Sequence, residues 1–407
     1  MKVNEQTYQF IREHIEENPT KLRLKYSGKQ LPDIDISLAI TQIEARQKAA
    51  AKLRGVLDKY EKFLFPDTLS AEQCTAALIA ELHAKIAGEN SDVLDLTCGL
   101  GIDTLALAQG AKSLTTCDID ATHIDYITHN ADVLDRQNIT ARCCESGEFL
   151  SSLPADKHYS LIFADPARRS YHNKRTYALE DCSPDILQLM PLIRAHADRL
   201  LIKVSPMLDV DMLLRQLPDV QSIYAVSLKG ECKELLVDCL FTENEITRRY
   251  FAIDILRDGE VYEYSFNEVQ DICPPPYINN VDDVTAGKYL FEPNASLMKL
   301  LHKAPLGKSF PTLRKLGANT HLYVSDEKLP ECMPGRVLRI EKVLLPSKKM
   351  SKELPRQANI VTRNYPESAD KLKTKLKIND GGTHFIYACS LLDKKGRLLL
   401  CTPMSQG

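Results

Sequence analysis

The chain has 407 residues, beyond the ~250–300 that one hydrophobic core usually serves, so two or three domains are expected. Hydrophobic residues at 44% and charged residues at 26% suit a globular protein and exclude wholesale disorder, and no apolar run approaches the ~18–20 residues of a bilayer span. The net charge of −3 hides an asymmetry: residues 294–407 hold 21 Lys and Arg against 9 Asp and Glu, which leaves 31 against 46 of the totals of 52 and 55 for residues 1–293.

The opening MKVNEQTYQFIREHIEENP lacks the uninterrupted apolar core of a secretory signal, so the cytoplasm is the expected compartment. Residues 1–72 read as an N-terminal helical region. TYQFIREHIEEN and ISLAITQIEARQKAAAKLRGVLDKYEKFL repeat apolar residues at three and four, with Asp35 and Ser37 as plausible caps of the second run. Another helix is expected over 73–90, ending near Gly88. From 92 to about 241 strands alternate with helical stretches: VLDLT, SLTTCDI, ITARCC, YSLIFAD, RLLIKVS, SIYAVSL and ELLVDCLF. The first five are separated by connections long enough for crossover helices, which predicts a mainly parallel sheet, whereas only KGECK joins the last two, which must form a hairpin. Residues 73–242 are thus expected to be an α/β domain of five parallel strands plus a closing β-hairpin.

Residues 248–265 predict two strands around an Asp-Gly turn, inside a small α+β connecting domain over 243–329. Over 330–407 the pattern is strand RVLRIEKVLL, helix SKKMSKEL, strand QANIVTRNY, helix SADKLKTKLKI, then strands THFIYACSLL and GRLLLCTP. This second α+β unit carries most of the excess positive charge. A polyanion is the partner such charge suits, with Lys371, Lys373, Lys375 and Lys377 and, on the preceding predicted helix, Lys348, Lys349 and Lys352 as candidate contacts; a solvated lysine-rich face is the alternative. The twelve cysteines contain no C-x2-C pair and the ten histidines show no ligand spacing, so no metal site is expected.

Chemistry concentrates in DVLDLTCGLGIDTLALA at 92–108, where an apolar strand ends in Asp95 and Gly99 and Gly101 turn the chain into a helix. Such glycines let backbone approach a ligand lying over the strand ends. A dinucleotide fingerprint would want a third glycine where Thr104 stands, and a different cofactor fits better. Asp95 can accept from the ammonium of a methionyl group, Asp118 from ribose hydroxyls, Ile119 offers an apolar face to adenine, and Glu145 can address the adenine edge. Together with Thr97 in the turn, they describe an S-adenosylmethionine pocket; taken singly, each Asp also suits an ordinary turn. The fourth strand ends in YSLIFADPARRS, where Asp165 can orient a nucleophilic N–H, Pro166 stiffens the turn, and Arg168 or Arg169 can hold a phosphate. Lys203 and Ser205 end the fifth strand near the same crevice or cap its junction. Glu231, Lys233 and Glu234 read as a solvated hairpin turn; Gln73 and Cys74 could touch the cofactor, with a helix N-terminus as the simpler account.

Nearly the whole chain resembles bacterial class I S-adenosylmethionine-dependent methyltransferases with a THUMP-like C-terminal domain. The resemblance rests on DLTCGLGIDTLALA, CDID, FADPARR, ALEDCSPD, LIKVSPMLD, ECKELLV, LFEPNASLMK, NTHLYVSD and PGRV. It implies a Rossmann-like catalytic domain, a ferredoxin-like connecting domain and a THUMP-like RNA-binding domain over 330–407, with Gly99, Gly101 and Asp118 in cofactor binding. It also implies that Asp165-Pro166-Ala167-Arg168 replaces the Asp/Asn-Pro-Pro-aromatic motif of amino-group methylases, with Arg168 where an aromatic would stack a flipped base. The expected activity is methylation of a tRNA or rRNA base nitrogen. A non-catalytic RNA-binding protein of the same fold, or a methyltransferase of proteins or small molecules, are the alternatives.

Overall fold

The computed structural model describes residues 3–168, 179–269, 272–330, 332–347 and 350–404, with Arg168 described by its backbone only. The expected residues Arg169, Ala178, Lys348 and Lys349, and the side chain of Arg168, lie outside the described residues. The chain forms two compact units, one of residues 1–223 and 234–246, the other of residues 224–233 and 247–407.

In the first unit, Asn4, Asn18 and Asp35 cap helices α1 (Glu5–Glu13), α2 (Pro19–Lys25) and α3 (Ile36–Lys59), each side chain accepting from a backbone N–H of the first turn. Helices α4 (Thr68–Gln73) and α5 (Ala77–Ala87) follow, and α5 stops at Gly88, whose φ is +90°. The buried face of α3, with Ala45, Ala49 and Leu53, packs with Phe63 and Phe65 against Leu105 and Ile127. The N-terminal helices therefore share a core with the sheet that follows.

That sheet contains β1 (Asp92–Asp95), β2 (Ser113–Asp118), β3 (Ile139–Cys143), β4 (Leu161–Ala164), β7 (Arg199–Val204), β8 (Val220–Leu228) and β9 (Glu231–Leu240), in the order β3-β2-β1-β4-β7-β9-β8, and a hairpin within residues 249–267 extends it past β8 to nine strands. The first five are mutually parallel and β9 runs antiparallel to β7. Helices α6 (Ile102–Gly110), α7 (Ala121–Val133), α8 (Ser146–Ser152), α9 (Ile186–His196) and α10 (Val210–Gln216) lie in the connections. Two short strands, β5 (Ala167–Arg168) and β6 (Cys182–Ser183), pair antiparallel and carry the chain away from the end of β4. Lys229 and Gly230, with φ of +55° and +82°, make the tight turn between β8 and β9, as a right-twisted hairpin requires.

In the second unit, β10 (Arg249–Ile255) and β11 (Val261–Asn267) form the expected hairpin, with Gly259 in its turn. A seven-stranded sheet follows, comprising β12 (Tyr289–Pro293), β13 (Arg314–Lys315), β14 (Tyr323–Ser325), β15 (Gly335–Leu344), β16 (Asn359–Arg363), β17 (Phe385–Ser390) and β18 (Gly396–Pro403), in the order β13-β14-β12-β15-β18-β17-β16. Helices α11 (Ala295–Leu300), α12 (Leu306–Ser309) and α13 (Ala369–Leu376) complete it. The segment SKKMSKEL, expected to be helical, forms only a single 3-10 turn over Met350–Lys352 among its described residues.

Candidate active site

The carboxyl ends of β1, β2, β4 and β7 bring together the residues with chemistry. In open α/β sheets, ligands bind in this crevice. Two glycines shape the turn after β1 for different reasons. Gly101 has φ +82° and a Cβ there would lie 2.2 Å from Cδ1 of buried Ile127, so close helix packing excludes any side chain. Gly99 has φ +52° and would place a Cβ in open space, so its face of the turn is open to a ligand.

Asp118 ends β2 and fixes that turn. Its Oδ2 accepts from the Gly99 N–H at 2.8 Å and from His123 Nδ1 at 3.1 Å, and its Oδ1 accepts from the Asp120 N–H at 2.9 Å. Burial raises its pKa, but these donors outweigh it and hold the group below the ordinary carboxylate range. Beside it Ile119 is 76% exposed, an apolar surface at the mouth of the crevice.

Asp95 ends β1, as expected, but is buried beneath the turn. It is 1% exposed, and its carboxylate accepts from Thr104 Oγ1 at 2.6 Å, Thr116 Oγ1 at 2.9 Å, the Thr97 N–H at 3.0 Å and Thr97 Oγ1 at 3.5 Å. Asp95 therefore knots β1, β2, the turn and α6 together, its carboxylate turned mainly to protein donors. Burial pushes its carboxyl up to about 6 despite the three threonines. Glu145 likewise turns to its own backbone: it is the N-cap of α8 and accepts from the Glu148 N–H at 2.8 Å. Thr97 links the two strand ends, since its Oγ1 accepts from the Asp165 N–H at 2.7 Å.

Asp165 stands just past β4, its side chain 38% exposed, followed by buried Pro166. Its Oδ2 accepts from Lys203 Nζ at 2.7 Å; Lys203 also donates to Thr75 Oγ1 at 2.9 Å and lies 3.9 Å from Glu234. Thr75 Oγ1 donates to Asp103 Oδ2 at 2.5 Å, and Asp103 Oδ1 lies 2.8 Å from His83 Nδ1. The other ring nitrogen of His83, which is fully buried, bonds to Glu234. Three carboxylates and two cations thus form one chain running inward from Asp165. Burial disfavours the charge on His83, but Glu234 and Asp103 raise it to about 10, so it is an imidazolium donating through both nitrogens at neutral pH. Asp103, which burial alone would raise, falls to about 2 through His83, Lys203 and Thr75. Burial opposes the Lys203 charge too, yet Asp165, Asp103 and Glu234 hold its pKa above the ordinary lysine value. Asp165 itself remains raised, burial being only partly offset by Lys203.

Sequence reasoning placed Lys203 near the crevice but missed Thr75, His83 and Asp103, and it read Glu234 as part of a solvated turn. Glu234 is 2% exposed and sealed against His83 and Lys203, which corrects that expectation. Asp103 was within reach, two residues beyond Gly101; His83 carried no local signal on its helix.

Three family descriptions match consecutive parts of the chain: an RNA cap guanine-N2 methyltransferase family over residues 90–238, a ferredoxin-like domain over 289–331, and a THUMP domain-like family over 335–403. The chain is 26% identical over 353 residues to an uncharacterised S-adenosylmethionine-dependent methyltransferase of Mycobacterium tuberculosis, a match covering 82% of this chain and 87% of that protein. It is also similar to the crystal structure of a proposed methyltransferase from Porphyromonas gingivalis W83. The TM-score is 0.84 at 28% identity, over 100% of both chains.

Proposed function

We propose that this class I S-adenosylmethionine-dependent methyltransferase with a THUMP-like domain acts on RNA, at a nitrogen of a tRNA or rRNA base. The observation that carries the reading is Asp165: a partly exposed carboxylate at the strand ends, held by Lys203 through one oxygen, with no hydrogen bond to the other among the described residues. The cofactor supplies a methyl group on a sulfonium. The chain's part is to present the nucleophile to that carbon in line and to take charge of the proton the nitrogen gives up. In this reading Asp165 Oδ1 accepts the N–H hydrogen bond, aims the nitrogen lone pair, and receives the proton as the N–C bond forms and the sulfonium C–S bond breaks, its electron pair staying on sulfur. Pro166 keeps the carboxylate in register by stiffening the turn, and Arg168, two residues on, holds a phosphate of the substrate strand.

The open side of Gly99, the Asp118 carboxylate and the apolar surface of Ile119 suit an adenosyl group, so these three hold the cofactor. Gly101, Thr97, Asp95 and Glu145 serve it indirectly, by shaping the loops. RNA as substrate draws support from the basic C-terminal part, the THUMP-like match, and the description of the family matched over residues 90–238.

The test is incubation of the full-length chain with methyl-labelled S-adenosylmethionine and total cellular RNA, followed by nucleoside digestion and mass analysis. Label in one base-methylated nucleoside is expected. Label recovered only in protein or in small molecules from a whole extract would overturn the RNA assignment.

A further inference from the structure

In the second unit, Glu292 on β12 is 8% exposed and faces its cross-strand partner Arg336 on β15. Its Oε1 accepts from Arg363 Nη2 at 2.6 Å, and its Oε2 accepts from Tyr387 Oη at 2.5 Å and from Arg336 Nη1 at 3.4 Å. Arg336 also donates to Tyr387 Oη at 3.2 Å and rests on the Phe385 ring, 4.6 Å from its centroid. One buried acid thus gathers two arginines from strands that are not neighbours in the sheet, and both stay about half exposed, at 48% and 44%.

From this arrangement we infer that Arg336 and Arg363 form a phosphate-binding site for the RNA backbone. The inference rests on the RNA reading above and adds where the strand is gripped. A guanidinium has five N–H donors. Among the described residues, Arg336 spends only Nη1, and Arg363 spends Nη2 on Glu292 and Nη1 on the Thr362 carbonyl. The remaining donors are available for the paired contacts a phosphate accepts. The charges point the same way. One carboxylate cannot neutralise two guanidiniums held on it, and an arriving phosphate relieves their mutual repulsion. Phe385, Tyr387 and Glu292 already hold the two side chains, so little rotamer freedom remains to be lost on binding. Burial, and to a lesser degree Lys315 and Arg363, lower the pKa of His321 nearby.

The lysines that the sequence nominated are placed differently. Lys373 bonds to Asp370 and Asp380, and Lys375 to Glu367, so two of the four lysines from Lys371 to Lys377 are paired with acids of their own neighbourhood. Leu372 and Leu376 of the same helix are buried, and Lys373 and Lys375 on its polar side are already engaged by acids.

The full-length chain would be titrated with a fluorescent tRNA transcript at several salt concentrations. R336Q/R363Q is expected to weaken binding roughly tenfold or more at moderate salt, and to reduce the slope of log affinity against log salt by ~0.7–0.9 per lost phosphate contact. K373Q/K375Q should stay within about twofold of wild type. The single variants R336Q and R363Q leave Glu292 paired with the other arginine, preserve the fold, and should each show about half the change in slope. Wild type that binds RNA with a salt-dependent affinity unchanged in R336Q, R363Q and the double variant would overturn this site alone. Wild type that binds neither the tRNA transcript nor a ribosomal RNA transcript in the same titration would overturn the RNA reading on which it rests.

Discussion

Lys203→Met keeps most of the aliphatic stem and removes the ammonium that Asp165, Thr75 and Glu234 surround at 2.7, 2.9 and 3.9 Å. Asp165, Asp103 and Glu234 would then share one cation, His83. Removing one partner of a buried ion pair costs roughly 3–5 kcal/mol, because the other charge is left behind. The Lys203 side chain is 17% exposed and that of Asp165 38%, so solvent screens part of the loss, and about 2–3 kcal/mol is expected. The functional consequence is separable from stability. Lys203 opposes burial in setting the ionisation of Asp165, so without it the carboxyl rises further and is more often protonated at neutral pH. A protonated carboxyl can no longer accept the substrate N–H. Turnover at neutral pH should therefore fall about tenfold or more, and the acidic limb of the pH–rate profile should move to higher pH. Lys203→Arg, which keeps the charge, should recover part of both losses. Urea unfolding and single-turnover methyl transfer across about pH 6–9 measure the two effects. A Lys203→Met variant whose limb stays in place, or whose stability is unchanged, would refute the account of Asp165 as a carboxylate tuned by Lys203.

His83 makes a pH prediction. Its folded pKa of about 10 exceeds the ordinary value near 6.5, so its stabilising contribution is complete below about pH 6.5 and drains away as the pH climbs towards 10. Wild-type unfolding free energy should fall across that window more steeply than that of His83→Gln. Gly101→Ala, which meets Ile127 and also takes φ +82°, should cost about 2–3 kcal/mol of stability, with partial relief from Ile127→Val. Gly99→Ala, facing open space, should cost only ~1–2 kcal/mol while weakening the cofactor measurably by calorimetry. Asp118→Ala should weaken S-adenosylmethionine by ~1–3 kcal/mol; binding unchanged in the titration would remove Asp118 from the cofactor site. Asp165→Ala should lower turnover strongly with cofactor affinity nearly intact, and equal losses in both would move Asp165 into the cofactor pocket.

What the sequence by itself determined was whatever depends on local pattern. Strand-length apolar runs joined by helix-length connections define the parallel sheet, and the short KGECK link forces the closing hairpin. The paired glycines after VLDLT mark where backbone turns from strand to helix, and acids at strand ends land in the crevice because strands of a parallel sheet point the same way. Hence Asp118, Asp165 and the glycine turn were legible. Whether a given acid faces a ligand or the protein was not, because that is decided by donors far along the chain. Asp95 is filled by hydroxyls 9 and 21 residues away, and His83 meets Glu234 across 151 residues. The same holds for the positive charge of the C-terminal part. Its total is a property of composition, but only the folded chain sets Lys373 and Lys375 against acids and gathers Arg336 and Arg363 on Glu292. A charge acts through what lies within a few ångströms of it, and those neighbours are chosen by strand pairing and packing rather than by sequence proximity.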